Sequence, residues 1–523
     1  MSGGAAASVA TGAEVLVRTL VACGVDTCFA NPGTSEMHFV AALDRVDGMR
    51  CVLALFEGVA TGAADGYARM TGRPASTLLH LGPGLANGLA NLHNAHRALS
   101  PVVNIVGEHA TYHRQYDPPL HSNIAALAGV YSSWVKSVDS PDGTAAAAAE
   151  AVAAALVPPG RISTLILPAD TAWSESAQGP ASPRAVAPRA RVDDGRVRAA
   201  ADSLRKGKAA LILNGPLLRT DPLDTCGRIA AATGAELFAP TQVPRLERGA
   251  GRVFVDRIPY VIESALKRLQ HLQQVVLVNA RPPVAFFAYP NKPSLLLPPD
   301  CEVLTLADPA EDGVDAIERL ADAVGARGHE PVREPFNPPP LPSGPITLPA
   351  LAAVIAALMP EQAIVVDESI TSGRGLLPAT RISAPHDWLT NPGGSIGTGL
   401  PLAVGAAVAC PERKVVCLES DGSGMYTLQG LWTMARERLN VTTVLFNNRS
   451  YEILKGEFRH VGAGEAGRKA SDMLEIGRPD LDWVQLATAQ GVAASRATTL
   501  DEFATHLRTA LAERGPHLVE VML

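Results

Sequence analysis

The stretch that most constrains the fold is residues 414–451, KVVCLESDGSGMYTLQGLWTMARERLNVTTVLFNNRSY. Residues 415–418 are apolar and partly β-branched, and residues 441–446 form a second apolar run. Between them, residues 421–424 (DGSG) read as a sharp turn outside any helix or strand, and residues 428–439 have helical spacing. Two parallel strands joined by a helix bring both strand ends to one edge of a sheet, where open α/β sheets hold their ligands. Asp421 then stands at the end of one strand, and Asn447 and Asn448 at the end of the next. A carboxylate, an amide oxygen and a glycine-rich turn with exposed N–H groups suit Mg²⁺ and a phosphate together. Taken alone, the stretch is also compatible with an ordinary turn in a generic α/β sheet.

The rest of the chain repeats the alternation. Strands are expected at residues 25–29, 52–55, 76–80, 102–106 and 164–167, with helices at 11–23, 36–46, 57–71, 85–98 and 145–156. Strands are again expected at 209–213, 236–238, 275–278 and 302–306, and then at 363–367 and 517–521. Alternation of this kind predicts an α/β fold of three doubly wound parallel-sheet domains covered on both faces. Pro-rich linkers at residues 176–195 and 331–345 place the domains at 1–180, 190–330 and 346–523. A chain of 523 residues exceeds one core and fits this division.

Composition excludes several classes. The formal charge of −7 is mild and no basic block is present, so no nucleic-acid partner is expected. The seven cysteines are scattered and form no CxxC pair, which argues against structural zinc or a disulfide framework and for a reducing cytoplasm. The amino-terminal MSGGAAASVATGAEVLVRTL has no basic n-region and carries Glu14 and Arg18. It reads as neither a secretion signal nor a membrane span, and no membrane association is expected.

Several residues have both a plain and a chemical reading. Glu57 opens a helix, where the dipole favours an acid. It also directly follows an apolar strand and precedes Gly58, Ala60, Gly62, Ala63 and Ala64, small residues that admit another helix or a ligand. Asn31-Pro32-Gly33 is a sharp turn at a strand end. His80, also at a strand end, is either a structural hydrogen-bonding residue or an acid/base group. The segment GEHATYHRQYDPPLH, with Tyr112, His113, Arg114, Tyr116 and His121, is either a polar surface loop or a substrate-facing one. Arg449, Glu452 and Lys455 could meet an anionic substrate or solvent.

DGS followed by NN one βαβ unit later resembles the cofactor motif of thiamine-diphosphate (ThDP) enzymes, with Ser420 where that family usually carries glycine. FEG…ADGYAR from Phe56 is similar to the pyrimidine-domain signature of the same family, whose glutamate matches Glu57. The three-domain layout resembles the acetolactate synthase and benzoylformate decarboxylase branch. FANPGTSEMHFVAALD (residues 29–44) and LESDGSGMYT (residues 418–427) resemble its FAD-less members named acetolactate synthase large subunit.

The resemblance implies roles for particular residues. Glu57 hydrogen-bonds the aminopyrimidine and promotes deprotonation of the thiazolium, and Asn31, Pro32 and Gly33 contact the pyrimidine. Gly394 accepts from the cofactor amino group and Ile396 wedges under the bent cofactor. Asp421, Asn448 and the Ser450 carbonyl hold Mg²⁺, while Thr371, Gly422, Ser423 and Tyr451 surround the diphosphate. The middle domain is short and lacks GxGxxG, so FAD is not expected.

LLHLGPG aligns His80 with an active-site histidine of benzoylformate decarboxylase, but the second histidine of that enzyme would fall near Ala288, where none stands. The implied reaction is decarboxylation of a 2-oxo acid with carboligation to an acetohydroxy acid, the alternatives being aldehyde release or a catalytically silent ThDP-binding subunit. Because the family builds each site from two chains, the resemblance implies a homodimer or homotetramer.

Overall fold

The computed structural model describes residues 10–523. The first nine residues, part of the amino-terminal stretch read above as neither signal nor span, lie outside the described residues. The chain forms three parallel-dominated sheets of six, five and seven strands, distributed over two compact units. Among the described residues no helix is long and apolar enough to cross a membrane, and all seven cysteines are free.

The first unit comprises residues 1–187, 393–411 and 427–439. Its six strands are all parallel, in the spatial order Arg50–Leu53, Thr27–Asn31, Ala75–Leu79, Val102–Glu108, Ile162–Pro168, Ser132–Ser137. Strand Thr27–Asn31 lies between the strands that precede and follow helix Glu57–Thr71, so the strand order reverses between Thr27–Asn31 and Ala75–Leu79. A crevice opens outside the carboxyl ends of strands at such a reversal. The register pairs Asn31 with Leu79, so Asn31-Pro32-Gly33 and His80 leave the sheet side by side.

Helix Glu57–Thr71 is buried along almost its whole length. The small residues there admit a helix: a Cβ on Gly66 would overlap the Leu402 carbonyl, and one on Gly405 the Ala63 carbonyl. Helix Gly399–Ala409, itself made of small and apolar residues, therefore lies backbone to backbone against it.

The second unit comprises residues 188–392, 412–426 and 440–523. Its five-stranded sheet is parallel, in the order Asp256–Arg257, Glu236–Ala239, Ala209–Leu213, Gln274–Val278, Glu302–Ala307. Its seven-stranded sheet runs Ala493–Ala497, His517–Met522, Val441–Asn447, Val415–Ser420, Ile364–Glu368, His386–Leu389, Leu246–Arg248. Here the order reverses between Ile364–Glu368 and Val415–Ser420, which puts Thr371 and Asp421 beside the crevice.

Several local expectations are corrected, and strands Asp256–Arg257, His386–Leu389 and Ala493–Ala497 are further additions. The turn at 421–424 is a helical turn, Asp421–Gly424, where the Ser423 hydroxyl accepts from the Ser420 amide at 3.3 Å as the chain winds at the strand end. The helix expected from residue 85 begins at Leu81, and Gly82-Pro83-Gly84 form its first turn, where Pro83 forfeits no hydrogen bond. Strand Ser132–Ser137 was not foreseen, since its six residues have only half-buried, irregular patterning. Strand Leu246–Arg248 was not foreseen either; at three residues it carries no periodicity, and it pairs antiparallel with His386–Leu389.

Candidate active site

The predicted site residues divide between the two units. Asn31, Pro32, Gly33, Glu57, His80, Gly394 and Ile396 belong to the first, and Thr371, Asp421, Gly422, Ser423, Asn448, Ser450 and Tyr451 to the second.

In the first unit the crevice residues converge. Glu57 opens its helix at 8 % exposure, and its Oε2 accepts from Asn87 Nδ2 at 3.0 Å. Gly84 fits between Glu57 and His80: a Cβ there would stand 2.9 Å from Glu57 Oε1 and 3.3 Å from His80 Cβ. Gly33 fits beneath the His80 imidazole, which a Cβ would overlap. His80 Nδ1 lies 2.8 Å from Glu36 Oε2, and the same oxygen accepts from the Gly33 amide at 2.7 Å.

Leu81, directly after His80, takes a left-handed φ of +52° that costs a non-glycine residue on the order of 1–3 kcal/mol. The chain tolerates it because helix Leu81–Ala98 must start immediately behind the strand.

The Gly394 and Ile396 loop is held by asparagines of that helix. Asn94 Nδ2 donates to the Ser395 carbonyl at 2.8 Å, and the Ser395 amide donates to Asn94 Oδ1 at 3.1 Å. Asn91 Nδ2 donates to the carbonyls of Gly58 at 2.8 Å and Gly397 at 3.2 Å, which ties the loop to the Glu57 helix. Gly394 itself needs φ +73°. Sequence reading missed Asn87, Asn91 and Asn94, although their spacing places them on one helical face and was the available signal.

In the second unit, Asp421 is 1 % exposed and is joined to the next strand end. Its Oδ1 accepts from the Gly422 amide at 2.9 Å and its Oδ2 from the Arg449 amide at 2.6 Å. Burial pushes its carboxyl up to about 6, against the pull of these amides. Asn448 Oδ1 accepts from the Ser450 amide at 3.0 Å, and the Tyr451 ring packs against Gly422, where a Cβ would come within 2.7 Å of it.

Ile370 and Arg449, beside Thr371 and Asn448, adopt φ of +49° and +56°, and Ile370 is β-branched. Left-handed non-glycine residues thus follow three of the strands that carry predicted site residues, as strained functional edges often do. The Gly422 amide has its partner within the turn, Asp421. The Ser423 hydroxyl points inward to Glu419.

A Mg²⁺–diphosphate group fits this edge. Asp421 is a buried carboxylate whose hydrogen-bond partners are main-chain amides, so its charge lacks a cation, and each oxygen keeps a lone pair for one. Among the described residues no group of three or more His, Cys, Asp or Glu side chains is placed to hold a metal ion.

The remaining candidates border these edges: Arg449 lends its amide to Asp421, Glu452 opens the helix after Tyr451, and Ser122, beside His121, packs against Gly82. Lys455 pairs with Glu452 at 3.2 Å. Tyr112 and Tyr116 are 61 % and 71 % exposed, and the loop is tied down by Thr111 donating to Asp170 and by His121 on Asp117. A cavity of about 560 Å³ at the amino ends of the first-unit strands, lined by Asp26, Tyr67 and Arg73 among others, shares no residue with the site.

Residues 10–131 match the family model described as "Thiamine pyrophosphate enzyme, N-terminal TPP binding domain", and residues 374–521 match its C-terminal TPP binding domain. The chain is 54 % identical over 515 residues to the protein named "Putative acetolactate synthase large subunit IlvX" of Mycobacterium tuberculosis, covering 98 % of this chain and 99 % of that one. It is 29 % identical over 525 residues to benzoylformate decarboxylase of Pseudomonas aeruginosa, covering 95 % and 96 %. The thiamine diphosphate-dependent 4-hydroxybenzoylformate decarboxylase of Rhodococcus jostii RHA1 shares the fold, with a TM-score of 0.84 at 24 % identity over 98 % and 99 % of the two chains. The chain belongs to the thiamine pyrophosphate enzyme family.

Proposed function

We propose that the protein decarboxylates a 2-oxo acid, using thiamine diphosphate and Mg²⁺, and releases an aldehyde. The observation that carries this reading is the juxtaposition of Glu57 and His80 across Gly84. Thiamine diphosphate, when bound, supplies a nucleophilic carbon and an electron sink for loss of CO₂. Glu57, Asn31, Pro32, Gly33, Gly394 and Ile396 would hold its pyrimidine end. Asp421, Asn448 and the Ser450 carbonyl would hold Mg²⁺, with Thr371, Gly422, Ser423 and Tyr451 around the diphosphate. Glu57, nearly buried, would exchange a proton with the pyrimidine. His80, with a side chain 25 % exposed, hands a proton to the product carbon, which is what separates aldehyde release from carbon–carbon bond formation.

The 54 % identity to a protein named as an acetolactate synthase supports a second reading, carboligation of two 2-oxo acids to an acetohydroxy acid. Both readings take the active form as a cytoplasmic homodimer or homotetramer without FAD, each chain having domains at 1–180, 190–330 and 346–523.

The test is product analysis of the holo-protein with a panel of aliphatic and aromatic 2-oxo acids. Aldehyde and CO₂ are expected, with turnover lost in Glu57→Gln. Acetolactate from pyruvate would replace the first reading with the second. Bound cofactor without any product, unchanged by Glu57→Gln, would mark a silent binding subunit.

A further inference from the structure

We infer that Glu36 is the positioning residue for His80, holding its imidazole in one tautomer with Nε2 turned to the reaction. The consequence for catalysis rests on the proton-donor reading of His80 given above. Glu36 closes the 3-10 turn Thr34–Glu36, three residues beyond Gly33, and is 2 % exposed. Two glycines make room for it. Gly33 lets the imidazole settle over the turn, and at Gly107 a Cβ would overlap Glu36 Oε1. Oε1 is buried without a hydrogen-bond partner, and the only ion-pair partner of Glu36 among the described residues is His80. A buried carboxylate with no lysine or arginine beside it is expensive. Capping the Gly33 amide at 2.7 Å needs only an acceptor, which an amide side chain would provide without that cost.

What a carboxylate adds is that it accepts and never donates. Facing Oε2 at 2.8 Å, Nδ1 must carry the hydrogen. The neutral ring therefore keeps its lone pair on Nε2, and the protonated ring carries its transferable proton there. Nε2 has no protein partner among the described residues. Glu57 lies on the other side of Gly84, so the oriented nitrogen belongs to the same crevice as the cofactor-activating carboxylate. An amide at position 36 would hold Nδ1 only with its oxygen on the Gly33 amide; flipped, it would donate to Nδ1 and drop that cap, so the lock would weaken.

The experiment uses full-length Glu36→Gln, with Glu36→Ala as a second variant should the first fold poorly. Histidine-selective ¹⁵N NMR, with His80 assigned by its absence in His80→Ala, reads the tautomer without any turnover. His80 is expected as the Nδ1–H tautomer in the wild type and as a mixture in the variants. kcat is expected to fall on the order of 100-fold in Glu36→Gln, with KM and ThDP affinity within a few-fold. In the His80→Ala background Glu36→Gln should cost nothing further, since the residue acts through the ring. An unchanged tautomer in both variants, or an equal kcat loss with and without His80, overturns the proposal. A lost tautomer lock combined with unchanged kcat in His80→Ala would sustain the positioning role and overturn only the proton-donor reading.

Discussion

At the scale of single residues, the two key carboxylates are both buried and differ in their company. Glu57 has a side-chain amide beside it, whereas Asp421 has only main-chain N–H groups and is pushed up to about 6 by burial. A site prepared for a cation should be destabilised by its own emptiness. Asp421→Asn is therefore expected to leave the cofactor-free protein at least as stable at pH 7. The sign follows from the raised carboxyl: between its unfolded value near 3.8 and about 6, the folded state binds the extra proton, so ionisation costs stability as pH rises. The same variant should weaken Mg²⁺ binding in the presence of ThDP by at least about 10-fold to 100-fold. Thermal unfolding and calorimetric titration read the two effects. A stable variant with wild-type Mg²⁺ affinity would remove Asp421 from the metal site.

At the scale of elements, the pairing of helices Glu57–Thr71 and Gly399–Ala409 sets how firmly Glu57 is held. Gly405 faces the Ala63 carbonyl, and backbone cannot yield as a side-chain end can. Gly405→Val should cost about 1–3 kcal/mol by overpacking and lower the denaturation midpoint of the full chain. Gly129→Ala, with open space around its Cβ, should leave the midpoint unchanged. Equal midpoints for both variants would show that the close approach does not matter. Helix Glu57–Thr71 was legible to the residue because it is long and bounded by Phe56 in extended conformation and Gly72 at φ +70°. The start of helix Leu81–Ala98 was not, because it rests on a left-handed leucine that no propensity would suggest.

At the scale of the whole molecule, two chain-distant pieces meet in the seven-stranded sheet through Arg248 and His386. Arg248 Nη1 lies 3.2 Å from His386 Nε2, while His386 Nδ1 donates to the Ala384 carbonyl at 2.7 Å. Burial, reinforced by the guanidinium, pushes the imidazole down to about 3. Below pH 6.5 the unfolded chain protonates this histidine and the folded chain does not until about pH 3, so its contribution is full above pH 6.5 and lost on acidification. The stability difference between wild type and His386→Gln should accordingly shrink as pH falls from 6.5 towards 3, read by denaturant titration at each pH. A pH-independent difference would show that the ring is not held neutral. No periodicity announced this junction, since Leu246–Arg248 has three residues and its partner lies more than a hundred positions on.

The sequence by itself determined the layered α/β architecture, the family and the carboxylates at the strand ends, because alternation of period, glycine-rich turns and motif spacing are local properties of the chain. Tertiary structure alone decided which side chains surround them. The asparagine face of Leu81–Ala98, the glycine between Glu57 and His80, and Glu36 against the imidazole all follow from strand order and register. Those bring Asn31 and Leu79 level across nearly fifty residues of chain. Pairing across such distances is set by burial of the whole sheet, which no short stretch encodes.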